Sequence, residues 1–367
     1  MSLLRMLRPA ILVGALLLCA TSWLAAAASA VPTGITGALE WRQLGPFRGG
    51  WATMAAGVSS KPDTFYIGTA GGGVWRTDDV GRTWHSLFDQ QPASSVGALA
   101  VAPSDPNVIY VGSGQVAARY DVGAGNGVYR SADGGKSWQH VGLDETRHIG
   151  RIVVDPQHPD TLLVGALGHY FGPNHQRGVF RSTDGGRHWQ QTLYINDDTG
   201  IVDLAADPAN PAIVYAAAWQ VRNYPWLSYF QPNAGPGSGL YRSSDGGVTW
   251  KRLDGHGLPT GTLGRIGIAT GRGGRVYAVI DAAPNSGNVP HPASKDQGGL
   301  YRSDDRGATW QLVSQQGWLE NDYFSRLTVD PADPDRIYSA GQSIRVSSDG
   351  GKSWRVFKGA PGGDDYH

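Results

Sequence analysis

Short apolar runs separated by turn signals recur along the chain. Ile152-Val153-Val154, the turn Asp155-Pro156 and Leu162-Leu163-Val164 form one such pair. Leu327-Thr328-Val329, Asp330-Pro331 and Ile337-Tyr338 form another. A third run, such as Gly127-Val128-Tyr129-Arg130 or Gly239-Leu240-Tyr241-Arg242, leads into an octapeptide Ser/Thr-x-Asp-x-Gly-x-x-Trp. A fourth, such as Trp250-Lys251-Arg252-Leu253, leaves it. Runs of this length with β-branched and aromatic residues between turn signals read as strands, four to a unit.

The octapeptide occurs six times, ending at Trp84, Trp138, Trp189, Trp250, Trp310 and Trp354, with a mean interval of 54 residues. Its acids are Asp79, Asp133, Asp184, Asp245, Asp305 and Asp349. A repeat of this length built from four short strands predicts an all-β propeller with six complete four-stranded blades. Within each turn the Asp can accept backbone N–H bonds, the Gly two residues later frees the backbone, and the Trp buries a ring. One or two carboxylates per turn are too few for a calcium cage, so these acids are expected to be structural.

Glu40-Trp41-Arg42-Gln43-Leu44 reads like an outermost strand, yet no inner strands precede it. It predicts an N-terminal orphan strand of an incomplete seventh blade, the remainder of which would follow Phe357. Residues 359–367 then read as the start of a truncated seventh blade, and a missing C-terminal continuation of the chain is expected. The propeller itself is assigned to residues 40–358, after a linker at 31–39.

Residues 1–30 carry Arg5 and Arg8, an apolar run from Ala10 to Ala20, and the small-x-small site Ala28-Ser29-Ala30. This is the pattern of a cleaved signal peptide, so a secreted or periplasmic protein is expected, with no membrane span after cleavage. The single cysteine, Cys19, lies in that segment, so the mature chain has no disulfide and no Cys nucleophile. Cleavage leaves 29 Lys+Arg against 31 Asp+Glu, a balance of −2. That near-neutral charge excludes the basic footprint of a nucleic-acid binder. With 53 Gly, 13 Trp and only three Glu, almost any acid/base chemistry must come from Asp.

These features resemble the Asp-box (BNR-repeat) propellers, and most closely the large exported bacterial sortilin-like proteins often labelled glycosyl hydrolases. The resemblance runs through Trp41 to Pro46, Arg48-Gly49-Gly50, Gly71-Gly72-Gly73-Val74-Trp75, Gly168-His169, Gly172-Pro173-Asn174, Gly264-Arg265-Ile266-Gly267 and Gly363 to His367. It implies a propeller but transfers chemistry poorly. Where the xyloglucan-cleaving members of the group carry Thr-Asp-x-Gly-Gly with a catalytic Asp, this chain has Thr69-Ala70-Gly71-Gly72. No Arg-Ile-Pro of the sialidase type is present.

In a four-stranded meander the loops between strands B and C, and the links into each strand A, share one face. The long B–C loops Ser113–Asn126, Leu167–Arg177, Trp219–Ser238 and Asp281–Gln297 make that face the expected binding surface. Candidate ligand-binding groups there are Arg48, His148, Arg151, His169, Tyr170, Trp219, Tyr224, Trp226, Arg265, Tyr323 and Arg326. The aromatic members are expected as exposed rings able to stack on sugars or grip peptide side chains. Glu145, Asp197, Asp198, Glu320 and Asp322 are the candidate acid/base residues for a glycoside. Asp364, Asp365 and His367 form one short cluster too weak to assign a metal, and no cofactor is expected. The leading expectation is an exported recognition module for glycan or extended peptide, and the alternative is a sialidase- or xyloglucanase-like glycoside hydrolase.

Overall fold

A computed structural model describes residues 50–117, 119, 122–224, 234–282, 298–316, 318–319 and 325–359. These residues form six four-stranded antiparallel sheets, each a simple meander, arranged as the blades of a propeller. Blade 1 contains β1 (Ala52–Val58), β2 (Lys61–Thr69), β3 (Val74–Thr77) and β4 (His85–Ser86). Blade 2 contains β5 (Val96–Val101), β6 (Ile109–Ser113), β7 (Val128–Ser131) and β8 (Gln139–His140). In blade 3 follow β9 (Ile149–Val154), β10 (Leu162–Ala166), β11 (Gly178–Ser182) and β12 (Gln190–Leu193). Blade 4 comprises β13 (Thr199–Asp207), β14 (Asn210–Gln220), β15 (Gly239–Ser243) and β16 (Lys251–Leu253). Blade 5 comprises β17 (Ile266–Thr270), β18 (Val276–Ile280), β19 (Gly299–Ser303) and β20 (Gln311–Ser314). Blade 6 comprises β21 (Leu327–Val329), β22 (Ile337–Ser339), β23 (Ile344–Ser347) and β24 (Arg355–Lys358). The expected orphan strand at Glu40–Leu44 and the segment 360–367 lie outside the described residues, as does the expected signal peptide.

Burial follows position in the blade. The second strands β6, β10 and β18 are buried at every residue, which explains their continuous apolar runs. The first strands pack side by side around the axis. At two points that packing needs the absence of a side chain. A Cβ on Gly150 would meet the Val202 carbonyl oxygen at 2.5 Å, and one on Gly267 would lie 1.6 Å from that of Ser325.

The octapeptides are turns held from within. Asp133 accepts the Ser131 hydroxyl at 2.8 Å, the Ser137 N–H at 2.9 Å and the Ser137 hydroxyl at 2.6 Å. Ser131 in turn accepts the Gly135 N–H at 2.8 Å, where Gly134 and Gly135 both take positive φ. These donors hold the Asp133 carboxyl down at about 2. The same contacts recur around Asp245, Asp305 and Asp349. Trp138 and Trp189 then donate to Leu87 and Val141 carbonyls of the preceding blade, at 2.8 and 2.7 Å.

A second device points the other way. On blade 1, Tyr66 and Arg76 donate to the Gly134 carbonyl of blade 2 at 3.2 and 3.4 Å. On blade 2, Tyr110 donates to the Pro159 carbonyl at 2.9 Å and Arg130 pairs with Asp160 at 2.8 Å, both on blade 3. On blade 5, Tyr277 donates to Pro334 at 2.9 Å and Arg275 reaches Asp335 at 2.5 Å on blade 6. On blade 6 the matching Tyr338 packs on Phe357 with ring centroids 6.0 Å apart. Among the described residues no hydrogen bond joins blade 6 to blade 1. Val356 and Phe357 of β24 are 57 % and 58 % exposed.

Candidate functional site

The loop between β10 and β11 is organised by Arg177, whose side chain is fully buried. Its Nε donates to Asn174 Oδ1 at 3.1 Å and its Nη1 to the Asp198 carbonyl at 3.2 Å. Nη2 donates to the Gly172 carbonyl at 2.8 Å and also to that of His169. Burial pulls its pKa down to about 10, which still leaves it charged at neutral pH. Gly168 is required beside it, because its φ is +82° and a Cβ would lie 2.2 Å from Arg177 Cγ.

Asn174 carries this order outward. It donates through Nδ2 to the Glu145 carbonyl at 3.0 Å and through its backbone N–H to the Asp197 carbonyl at 3.2 Å. Two acids from different inter-blade links are thereby tied to one loop. The Glu145 carboxylate lies 3.1 Å from Arg147 and 3.4 Å from His169 Nε2. Asp197 accepts the Tyr194 hydroxyl at 2.7 Å and sits 2.8 Å from His175 Nδ1. Asp198 pairs with Arg222, which also bonds Tyr224. Glu145, Asp197 and Asp198 are 50 %, 40 % and 41 % exposed, so all three are open to a ligand.

Four expected ligand-binding groups lie instead beneath this surface. Trp219, expected on an open loop, belongs to β14 and has no exposure; Tyr170 and His148 are each 2 % exposed and Arg265 is 5 % exposed. The reason is packing: Tyr170 stands 6.4 Å from Trp219 and 6.0 Å from His148, and Arg265 covers the Trp219 ring at 5.3 Å. These groups form the floor, where they fix the loops. His148 Nδ1–H donates to the Gln115 carbonyl at 2.8 Å, and burial lowers its pKa to about 4, so it is neutral at pH 7. The exposed rings are Phe171 and Tyr194, each 43 % exposed.

A separate group surrounds the axis. Arg151 on β9 lies 3.2 Å from Asp203 on β13. Asp203 also accepts the Leu204 and Ile268 N–H groups, each at 3.0 Å. Arg326 is within electrostatic reach of Arg151, Asp203 and Arg265. A channel cavity of about 320 Å³ opens at Arg151, lined by β9, β13, β17 and β21.

Arg177, Asn174, Tyr194 and Asp203 were not singled out from sequence. The signal for Arg177 lies in the Gly-rich loop it closes, whereas Asp203 sits beside a register shift in β13 and meets partners on other blades. Arg48, Trp226, Glu320, Asp322 and Tyr323 lie outside the described residues. Among the described residues, no group of three or more His, Cys, Asp or Glu side chains is disposed to hold a metal. No described helix is long and apolar enough to cross a membrane.

The fold is that of a propeller shared with polysaccharide-cleaving enzymes. The structure matches the GH74 xyloglucanase of Xanthomonas campestris with a TM-score of 0.59 at 22 % identity, over 84 % of this chain and 45 % of that one. It matches the GH74 enzyme of Niastella koreensis with a TM-score of 0.56 at 21 % identity, over 85 % and 46 % of the two chains. In sequence it is 26 % identical to xyloglucanase Xgh74A of Acetivibrio thermocellus, covering 81 % of this chain and 37 % of the relative. It is 28 % identical to a xyloglucanase of a Paenibacillus species, over 80 % and 30 % of the two chains. The chain thus spans about a third of the length of these curated relatives. No protein-family model matches it.

Proposed function

We propose that this chain engages a xyloglucan-type β-glucan on its loop-rich face and cleaves it there, with Glu145 and Asp197 as the acid/base pair. The observation that carries the reading is the Arg177–Asn174 core, which ties the backbones of these two open acids to one loop, on a chain similar to several xyloglucanases. Glycoside hydrolysis needs one carboxyl to protonate the leaving oxygen and another to activate water or attack the sugar. His169 beside Glu145 and His175 beside Asp197 can exchange protons with them. Phe171 and Tyr194 offer exposed ring faces for stacking sugar residues. Export, expected from residues 1–30, fits a polymer that is met outside the cytoplasm.

A second reading, recognition without cleavage, is favoured by Ala70. It stands at the loop-face end of β2 with its methyl against Gly50, and it offers no acid. Reducing-sugar release from xyloglucan, measured beside affinity electrophoresis, separates the two. Turnover lost in both Glu145→Gln and Asp197→Asn supports the proposal. Retarded migration without sugar release supports recognition alone, and neither binding nor release removes both readings.

A further inference from the structure

Two groups from different elements converge on one oxygen of Asp197. The hydroxyl of Tyr194, the residue after β12, donates to Oδ1 at 2.7 Å. His175, on the β10–β11 loop, brings Nδ1 to the same oxygen at 2.8 Å, and it stands 3.2 Å from the Tyr194 hydroxyl. The loop bearing His175 is held in place by β12. Gln191 Nε2 donates to the His175 and Arg177 carbonyls at 2.8 and 2.7 Å, and the Asn174 N–H reaches the Asp197 carbonyl. The neighbouring acid Asp198 is engaged otherwise, paired with the Arg222 guanidinium, while Arg177 is sunk among main-chain carbonyls. Donation to Asp197 pushes the Tyr194 pKa up, so the phenol keeps its proton at neutral pH.

We infer that Tyr194 is a positioning residue, whose hydroxyl sets the Asp197 carboxylate and leaves Oδ2 as the oxygen available to a substrate. The inference rests on the cleavage reading above and gives Tyr194 a second task, since its open ring is there a stacking surface. Ring and hydroxyl act separately. A carboxylate 40 % exposed at the surface can turn about both of its side-chain torsions. Contacts from a strand end and from a clamped loop, meeting on one oxygen, restrict that turning. A hydrogen bond to a charged acceptor is among the stronger ones, and holding a reacting group in its productive geometry speeds the chemical step more than it tightens binding.

Two measurements on the intact chain test this. In reducing-sugar release from xyloglucan, Tyr194→Phe keeps the ring and loses the hydroxyl, and it is expected to lower kcat about tenfold with KM unchanged. Tyr194→Leu removes the ring as well and is expected to raise KM besides. In the second measurement the Tyr194 phenol is titrated by carbon NMR, its signal assigned by its loss in Tyr194→Phe. The midpoint is expected above the ordinary value of 10 in wild type and lower in Asp197→Asn, which removes the charged acceptor. Release by wild type with an equal kcat in Tyr194→Phe overturns the inference and leaves the cleavage reading standing. A phenol that titrates at its ordinary value and does not respond to Asp197→Asn overturns it whatever the turnover. No release by wild type removes the cleavage reading and the positioning role together, even where the phenol titration confirms the contact.

Discussion

His148 shows how a single buried side chain ties stability to pH. Its native pKa near 4 lies below the ordinary value of 6.5, so the folded state favours the neutral ring. As pH falls from about 6.5 toward 4, the unfolded chain takes up a proton that the native chain refuses. Stability therefore declines over that window, by up to about 1.4 kcal/mol per pH unit, and the loss levels off below it. Urea unfolding at pH 7 and pH 5 should show this decline in wild type and a smaller one in His148→Asn. Gly168 is the second sensitive residue. Gly168→Ala must hold a φ of +82° and displace Arg177, at an expected cost of about 1–3 kcal/mol. An unchanged urea midpoint would mean that the loop bearing Asn174 relocates freely.

At the level of strands and turns, much of the architecture was legible before any coordinates. The octapeptides mark each third-to-fourth strand turn because Asp, Gly and Trp all act within eight residues of one another. The pairs Leu162–Val164 and Leu327–Val329 likewise announce strands by local pattern. Long-range placement was not legible. Trp219 reads as an exposed ring at the start of a long aromatic-bearing loop, yet β14 extends through Gln220 and carries the indole into the core. Asp203 carries no local signal of its own, and its partners Arg151 and Ile268 stand on other blades. The turn acids make their own prediction. Held near 2 by their donors, Asp133, Asp245, Asp305 and Asp349 support the fold above pH 4. That support is lost as pH falls from about 4 toward 2, once the native carboxyls also take up protons. Asp133→Ala strips acceptors from two Ser137 donors and should cost about 1–3 kcal/mol, measured by denaturant unfolding at pH 7.

Across the whole molecule, one set of joints runs forward round the ring: tyrosine and arginine of blades 1, 2 and 5 reach into the turns of the next blade. Tyr66→Phe, Tyr110→Phe and Tyr277→Phe each remove one such bond and should each cost about 1 kcal/mol. Tyr338→Phe should cost close to nothing by the same measurement. If all four substitutions weakened the protein equally, the joints would not be the source of the effect. Three of these tyrosines bond to main-chain carbonyls, of Gly134, Pro159 and Pro334. A main-chain oxygen survives whatever amino acid occupies its position. Mutational drift can therefore disable a joint from the giving side but seldom from the receiving side. Neighbouring units can diverge in composition while still recognising one another, which gives a duplicated array room to specialise one copy without loosening the rest.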